Sequence, residues 1–304
     1  MAILESEHGG TLLDLRNFLL YPKFRAEFLQ SVGDTDIRHY WEEEHKAFGD
    51  ERSVGPLVAR LDAFLRPKIV RNIVCQKDNR LDFADILNGS KILLVKLSQR
   101  PPLGKEDSFL LGALIVAKIN QVVQSRQALA EEKRTPHTLY IDEFHHMAVD
   151  SMAGTMSDVI AGGRKFGLNL VCAHQTLCQL AGHEGSVASA IVANPYTRVC
   201  FRLGSEDARK LSEGFSFFEP KDFQNLGTGE ALCRVERADY DFNLTVPPPW
   251  PIENLSEKLG KLRELTHTRY AAPRACVEEQ HRSWREAKQD DEKQPKATGT
   301  LSSD

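Results

Sequence analysis

The sequence of 304 residues lacks the long apolar run that a membrane-spanning helix requires. The longest uninterrupted apolar stretch in its middle, residues 109–117, has nine residues, whereas a spanning helix needs about 20. The first ten residues, MAILESEHGG, also lack the basic and then apolar pattern of a signal peptide. We therefore expect no transmembrane segment and no secretion signal in the sequence as written, and a cytoplasmic location.

Paired cysteines and an excess of positive charge are absent as well. The six cysteines are scattered without a C-x-x-C pair, which is typical of reduced thiols in a cytoplasmic protein and excludes a disulfide scaffold or a standard zinc motif. The net charge is −4, from 39 Lys and Arg against 43 Asp and Glu. No global basic field therefore indicates nucleic-acid binding, and any contact with DNA must be local or shared between subunits.

The composition is otherwise that of a globular protein, with 41% hydrophobic and 27% charged residues. Residues 1–75 carry apolar side chains at helical spacing, interrupted by Pro22 and Pro67, and are predicted to form a helical segment. Residues 251–275 are predicted to contain one more helix, from about 253 to 264. Residues 276–304 hold very few large apolar side chains, so we predict a disordered tail there.

Between residues 76 and 250 the pattern alternates between strands and helices. Strands are predicted at 91–97, 137–143, 168–174, 196–203, 229–235 and 241–246, and helices at 107–129 and 153–165. Such alternation predicts an α/β fold, a mostly parallel sheet with helices on both faces. The last two strands are separated only by residues 236–240, which favours an antiparallel hairpin at the sheet edge.

A pair of carboxylates follows the second predicted strand, in the sequence TLYIDEFHH. Asp142 and Glu143 would stand at the carboxyl end of a buried strand, where open parallel sheets bind ligands. In nucleotide hydrolysis one such carboxylate holds Mg²⁺ through water and the other orients and deprotonates the attacking water. Asp142 is the candidate metal residue and Glu143 the candidate base. A strand that merely ends in polar residues would look the same.

Two further residues are candidates for the same chemistry. Gln175 follows the third predicted strand, where a neutral amide can contact a γ-phosphate or the attacking water. Arg164, in the sequence GGRKFG, offers the guanidinium that suits charge developing on a transferring phosphoryl group. Each has an ordinary alternative, Gln175 as a loop residue and Arg164 as a cation at a helix C-terminus. We expect Asp142, Glu143, Arg164 and Gln175 to converge at one edge of the sheet.

Histidines near these residues raise the question of a metal site. His145, His146 and His174 lie close to Asp142 in sequence, but their spacing fits no standard ligand pattern. Because strand ends attract polar residues of every kind, the spacing alone favours an ordinary polar strand end over metal ligation.

The ordered series of motifs resembles a known family. YIDEFHHMA, RKFGLNLVCAHQ, IVANPYTRVCFRLGSEDARKL and NLGTGEALCRV, within about residues 54–250, are similar to the C-terminal half of type IV secretion coupling proteins of the TraG/TraD type. These are hexameric, RecA-like DNA-translocating ATPases of the FtsK/HerA class. The resemblance implies Asp142 as the Walker B residue for Mg²⁺ of Mg-ATP, Glu143 as the catalytic carboxylate, Gln175 as the sensor, and Arg164 as an arginine finger acting on a neighbouring subunit.

The same resemblance implies partners and a location. It implies ATP and Mg²⁺ as cofactors, DNA as a partner together with secretion-channel and relaxosome proteins, and a homo-hexameric assembly. It also implies a position at the cytoplasmic face of the inner membrane, reached through partners. The helical residues 1–75 would correspond to the end of the family's inserted all-α domain.

One motif of the family is missing. The P-loop, G-x-x-x-x-G-K-[ST], occurs nowhere in the chain. Without its backbone N–H groups and its lysine, we expect weak ATP binding by this chain alone. Residues 76–250 would then be a partial RecA-like core, from a truncated, split or mis-started gene. Hydrolysis would need a Walker A from a partner polypeptide or from a full-length version of the protein. The alternatives are a non-catalytic module that docks to secretion or relaxosome proteins, and a remnant of such a motor.

Overall fold

The computed structural model describes residues 10–45, 50–97, 99–101, 103–147, 159, 162–181 and 195–282. The chain divides into two compact units. The first comprises the described residues of Met1–Leu81, Arg100–Asp107 and Ser256–Asp304, and the second those of Asp82–Gln99 and Ser108–Leu255. The predicted C-terminal helix thus falls in the same unit as the N-terminal helices.

The first unit is helical. Its helices are α1 (Leu12–Leu20), α2 (Pro22–Gln30), α3 (Thr35–His39), α4 (Asp50–Leu65) and α5 (Lys68–Val74), with α11 (Leu255–Tyr270) following much later in the chain. Thr11 and Asp14 form a reciprocal capping box that starts α1, and Pro22 occupies the first turn of α2. Phe18, Phe28 and Val32 belong to the buried cluster that holds the first three helices together.

The second unit alternates helices and strands as the sequence predicts. It contains α6 (Phe83–Asn88), α7 (Lys105–Ser125, which begins in the first unit), β1 (His137–Ile141), β2 (Leu168–Cys172), α8 (Cys178–Ala181), β3 (Thr197–Cys200), α9 (Ser205–Ser212), α10 (Pro220–Gln224), β4 (Glu230–Val235) and β5 (Asp241–Thr245). The α/β fold class is confirmed, and five of the six predicted strands are present within a few residues of their predicted ends.

The strands of the second unit form two sheets. β1 and β2 pair in parallel, with His137 opposite Leu168 and Ile141 opposite Cys172. β3, β4 and β5 form an antiparallel sheet in that order, and β4 and β5 make the predicted hairpin. The parallel pair is the part of the fold that positions the candidate site, because its two carboxyl ends lie at one edge.

One predicted strand is not a strand in the structure. Residues 91–97 have no regular secondary structure, and the side chains of Ile92 and Leu94 are 87% and 77% exposed. The apolar pattern of a buried strand is present, but no neighbouring strand among the described residues pairs with it. An apolar run of this kind favours an extended strand, but the strand forms only where a neighbouring strand is available to pair with it.

The C-terminal prediction needs a correction as well. Residues 274–282 are helical, so the predicted disorder does not begin at residue 276. Val277 is buried, and Glu278 accepts hydrogen bonds or ion pairs from Asn72, Lys68 and Arg274. These few contacts are enough to order residues 274–282, because this short helix packs on helices of the first unit that are already folded. Residues 283–304 lie outside the described residues, as does most of the predicted helix at 153–165.

One helical stretch of the described residues, Lys105–Ala128, has the length and composition of a membrane span, and 33% of its most apolar part is buried. Core helices of soluble proteins meet the same criterion. The uninterrupted apolar run within this stretch ends at Lys118, although the stretch as a whole is apolar on average. Arg126, within this stretch, is buried and donates to the main-chain oxygens of Leu87 and Phe166.

Candidate functional site

The carboxyl ends of β1 and β2 are held together beyond the last paired residues. The main-chain N–H of Ala173 donates to the oxygen of Ile141 over 2.9 Å, and that of Phe144 donates to the oxygen of Ala173 over 2.7 Å. The fully buried Phe144 anchors the turn that follows β1. Asp142 and Glu143 therefore leave one strand, and Gln175 leaves the other, at the same edge of the parallel pair.

Glu143 and Gln175 are in direct contact at this edge. Gln175 Nε2 donates a hydrogen bond to Glu143 Oε1 over 2.8 Å, which joins two residues that are far apart in sequence. The Glu143 side chain is 42% exposed, so it remains accessible to a ligand. The structure thus brings together the carboxylate and the amide that the sequence analysis proposed for one site.

The turn that carries Glu143 has an unusual backbone. Glu143 adopts the left-handed conformation, with φ 50° and ψ 46°, which costs an L-residue other than glycine roughly 1–2 kcal/mol. Its N–H donates to Asp142 Oδ1 over 2.9 Å, and the 3₁₀ turn Phe144–His146 follows directly. Strained residues of this kind cluster at functional sites, where the surrounding structure holds them.

Asp142 is exposed at the same turn. One of its oxygens accepts the N–H of Glu143, which fixes the direction of its side chain. Carboxylate oxygens are the hard ligands that Mg²⁺ prefers, commonly one or two of them together with waters and substrate phosphates. Asp142 and the neighbouring Glu143 could therefore provide the carboxylate ligands that a protein contributes to such a Mg²⁺ site.

Two histidines line the inner side of the site. His145 Nδ1 lies 3.4 Å from Glu143 Oε2, and the His145 and His146 rings lie 4.0 Å apart between centroids. His174, before Gln175, is half-buried, and its burial lowers the pKa of this histidine, with smaller opposing contributions from Thr176 and Asp207. The position of His145 and His146 beside Glu143 cannot be read from their spacing in sequence, because it depends on the left-handed turn at Glu143.

Arg164 does not join the other three residues. It lies in the 3₁₀ turn Gly163–Phe166, which enters β2, whereas Gln175 lies after the exit of β2. A five-residue strand spans roughly 15 Å, so Arg164 stands at the opposite edge of the parallel pair. The expectation that all four residues converge is therefore wrong for Arg164. The physical reason is that Arg164 precedes β2 whereas Gln175 follows it, so the two side chains fall at opposite ends of the strand.

Arg164 has its own surroundings at that opposite edge. Its side chain is exposed, and its guanidinium carbon lies 5.4 Å from the centroid of the Tyr196 ring, within the range of a cation–π contact. The Tyr196 hydroxyl donates to Glu236 Oε2 over 3.2 Å. Tyr196 immediately precedes β3, so this contact connects the entry of the parallel pair to the antiparallel sheet. The contact between Arg164 and Tyr196 was not expected from the sequence.

No protein-family model and no curated protein matches the sequence, but solved structures do match the fold. The bacterial conjugative coupling protein TrwB (TrwBdeltaN70, unbound monoclinic form) aligns with a TM-score of 0.54 at 16% identity, over 80% of this chain and 60% of that chain. The chain shares the fold of TrwB. The resemblance to coupling proteins found in the motifs is confirmed at the level of the fold.

Further TrwB structures match in the same way. The complex with the non-hydrolysable ATP analogue ADPNP has a TM-score of 0.52 at 17% identity, over 79% of this chain and 62% of that chain. The complex with ADP and Mg²⁺ has a TM-score of 0.52 at 17% identity, over 80% and 59%. The chain thus spans about three fifths of the TrwB chains that it matches, and some TrwB structures contain a nucleotide.

Proposed function

We propose that this chain is the C-terminal part of a conjugative or type IV secretion coupling ATPase, which uses ATP hydrolysis to drive DNA transfer. The observation that carries the proposal is the hydrogen bond between Glu143 and Gln175 at the carboxyl edge of β1 and β2. An acidic pair and a neutral amide at this edge are the groups that nucleotide hydrolysis requires there. The TrwB fold supports the same reading.

Each residue has a distinct part in the proposed reaction. Asp142 holds Mg²⁺ through water, and Glu143 orients the attacking water and accepts its proton. Gln175 holds the Glu143 carboxylate in place and contacts the γ-phosphate or the same water. Mg-ATP, when bound, supplies the phosphoryl group and neutralises part of its charge.

Arg164 acts on a different site in this proposal. It lies at the entry of β2 and cannot reach the Asp142–Glu143 edge of its own chain without a rearrangement. An exposed guanidinium beside Tyr196 is instead available to the nucleotide of a neighbouring subunit in a hexamer. An arginine supplied in trans stabilises the charge that develops on the transferring phosphoryl group.

A second polypeptide supplies the missing Walker A in this proposal. The P-loop is absent from the sequence, and the chain spans only part of the TrwB length. The exposed apolar side chains of Ile92 and Leu94, and of Tyr140 on β1 at 74% exposure, support the addition of further strands to this unit. A partner polypeptide that packs on these side chains would bring the phosphate-binding loop to Glu143.

The test is DNA-stimulated ATP hydrolysis by the full chain, with and without the polypeptide encoded just upstream, which the proposal expects to be the P-loop polypeptide. We expect hydrolysis only in the mixture, and a loss of at least about 100-fold for Glu143→Gln, because the amide cannot accept the proton. Glu253→Gln, an exposed residue outside the site, is the matched control and retains full activity. Equal rates for Glu143→Gln and the native chain in the mixture would overturn the catalytic proposal.

The absence of a P-loop from the sequence favours a second candidate function, in which the chain does not catalyse hydrolysis. The chain would then be a non-catalytic module that keeps the fold and docks to secretion or relaxosome proteins. Direct titration with ATP separates the two functions. Tight ATP binding by the chain alone, or hydrolysis that depends on Glu143, contradicts a purely structural role.

A further inference from the structure

Three potential metal ligands converge beside the candidate site. One ligand atom from each of Glu143, His145 and His146 lies within 4.8 Å of the other two, and all three side chains are partly buried. Among the described residues, His145 Nδ1 is a buried nitrogen without a hydrogen bond, although it faces Glu143 Oε2 at 3.4 Å. A buried, unpaired nitrogen costs free energy unless a ligand satisfies it.

The backbone explains why three nearly consecutive residues can converge. The left-handed conformation of Glu143 ends the extended geometry of β1, and the 3₁₀ turn Phe144–His146 brings the two imidazoles next to the carboxylate. A regular strand would have sent successive side chains to opposite faces. The ligand set is thus a property of the turn and not of the spacing in sequence.

Neighbouring groups already orient these ligands. Gln175 Nε2 donates to Glu143 Oε1, which leaves Oε2 directed at His145. The ring of Phe109, on α7, packs on His146 with a centroid distance of 4.7 Å. Hydrogen bonds and packing of this kind fix the orientation of metal ligands in proteins and raise their affinity.

We propose that Glu143, His145 and His146 bind a divalent transition metal ion of the Zn²⁺ type. Two imidazoles and one carboxylate suit Zn²⁺ and its transition-metal neighbours, whereas Mg²⁺ prefers oxygen ligands alone. A tetrahedral ion needs ligand atoms about 3.3 Å apart at bond lengths of about 2.0 Å, so small side-chain rotations close the site. Water or a substrate oxygen completes the coordination.

The consequence deepens the proposed function and rests on it. A transition metal bound to Glu143 withdraws electron density from the carboxylate, which can then no longer accept a proton from water. Occupancy of this site would therefore inhibit any hydrolysis that depends on Glu143. Metal binding itself does not require nucleotide, so the two proposals can be tested separately.

The test is a titration of the full, nucleotide-free chain with zinc chloride against a chromophoric zinc chelator. Cys178 and Cys276 are exposed thiols and would bind zinc themselves, so the titration uses a Cys178→Ser, Cys276→Ser background. We expect one equivalent of zinc that excess Mg²⁺ does not displace. In that background, the double variant His145→Gln, His146→Gln should lower the zinc affinity by at least about tenfold. Gln175→Ala should lower the zinc affinity by about tenfold.

The matched control is His267→Gln, an exposed histidine on α11, which leaves the zinc affinity unchanged. Circular dichroism verifies that each variant retains its helix content. Failure of the background chain to bind one equivalent of zinc, or equal affinity in the double histidine variant, would overturn the metal site. Neither result bears on hydrolysis by the mixture with the P-loop polypeptide, so failure of one proposal leaves the other intact.

Discussion

Arg126 donates from Nη1 to the main-chain oxygen of Phe166 over 3.0 Å, and so ties the end of α7 to the turn that enters β2. The same guanidinium donates to the main-chain oxygen of Leu87 over 3.1 Å and to Asn88 Oδ1 over 3.0 Å. Arg126 is 1% exposed, and burial lowers the pKa of its guanidinium. A single buried cation therefore satisfies polar groups from two other segments of the second unit.

Replacement of Arg126 by methionine is expected to destabilise the fold. Methionine fills much of the volume but removes the donor from three oxygen acceptors, of which the main-chain oxygen of Leu87 is buried, so the free energy of unfolding falls by about 2 kcal/mol. Urea denaturation monitored by circular dichroism measures this loss. Arg263→Met, on the exposed face of α11, is the control and changes stability by less than about 0.5 kcal/mol. Equal effects of the two variants would contradict a structural role for Arg126.

The convergence of Glu143 and Gln175 could be predicted from the sequence for a physical reason. Each follows an apolar run of strand type, and the carboxyl ends of parallel strands lie at the same edge of a sheet. Strand direction, once assigned, thus places these side chains without knowledge of any long-range contact. The same rule places Arg164 at the other edge, because it precedes β2 instead of following it.

Other features depend on information that local sequence does not carry. The left-handed backbone of Glu143 cannot be read from its residue type, since glutamate rarely adopts it. The exposed residues Ile92 and Leu94 have a strand pattern whose partner is not among the described strands. The helix at 274–282 is stabilised by Lys68 and Asn72, from a distant part of the sequence.

Gly112 on α7 is expected to be required for close packing. A Cβ there would lie 2.4 Å from Met147 Cε and 2.7 Å from Leu97 Cδ1. Gly112→Val is therefore expected to lower the free energy of unfolding by about 2 kcal/mol through overpacking. At Gly260 on α11 a Cβ would meet nothing within 4 Å, so Gly260→Val stays within about 0.5 kcal/mol of the native chain. Thermal denaturation of both variants compares them, and similar melting temperatures would contradict the packing at Gly112.

The ion pairs of Glu278 should make the stability of the helical unit depend on pH. Hydrogen bonds from Lys68 and then Arg274 lower the pKa of Glu278 from an ordinary value of 4.5 to about 2. Because the folded-state pKa lies below that of the unfolded chain, the stabilising contribution is complete above pH 4.5 and is lost as the pH falls toward 2. Glu278→Gln should thus lower the urea midpoint near neutral pH and differ less from the native chain near pH 3.

The control for this prediction is Glu264→Gln, an exposed residue on α11. Its urea midpoint should follow that of the native chain at both pH values. A gap between Glu278→Gln and the native chain that stays constant, or widens, as the pH falls would show that the carboxylate of Glu278 does not stabilise the fold through Lys68 and Arg274.

The backbone at Glu143 gives a prediction that is independent of catalysis. Glycine adopts φ 50° without strain, whereas alanine carries the same steric penalty as glutamate. Glu143→Gly and Glu143→Ala both remove the carboxylate and its hydrogen bond to Gln175, so the difference between them reports the backbone alone. We expect the glycine variant to be more stable than the alanine variant by about 1 kcal/mol. Chemical denaturation of the two variants measures the difference, and an alanine variant as stable as the glycine variant would show that Glu143 is not held in the left-handed conformation in solution.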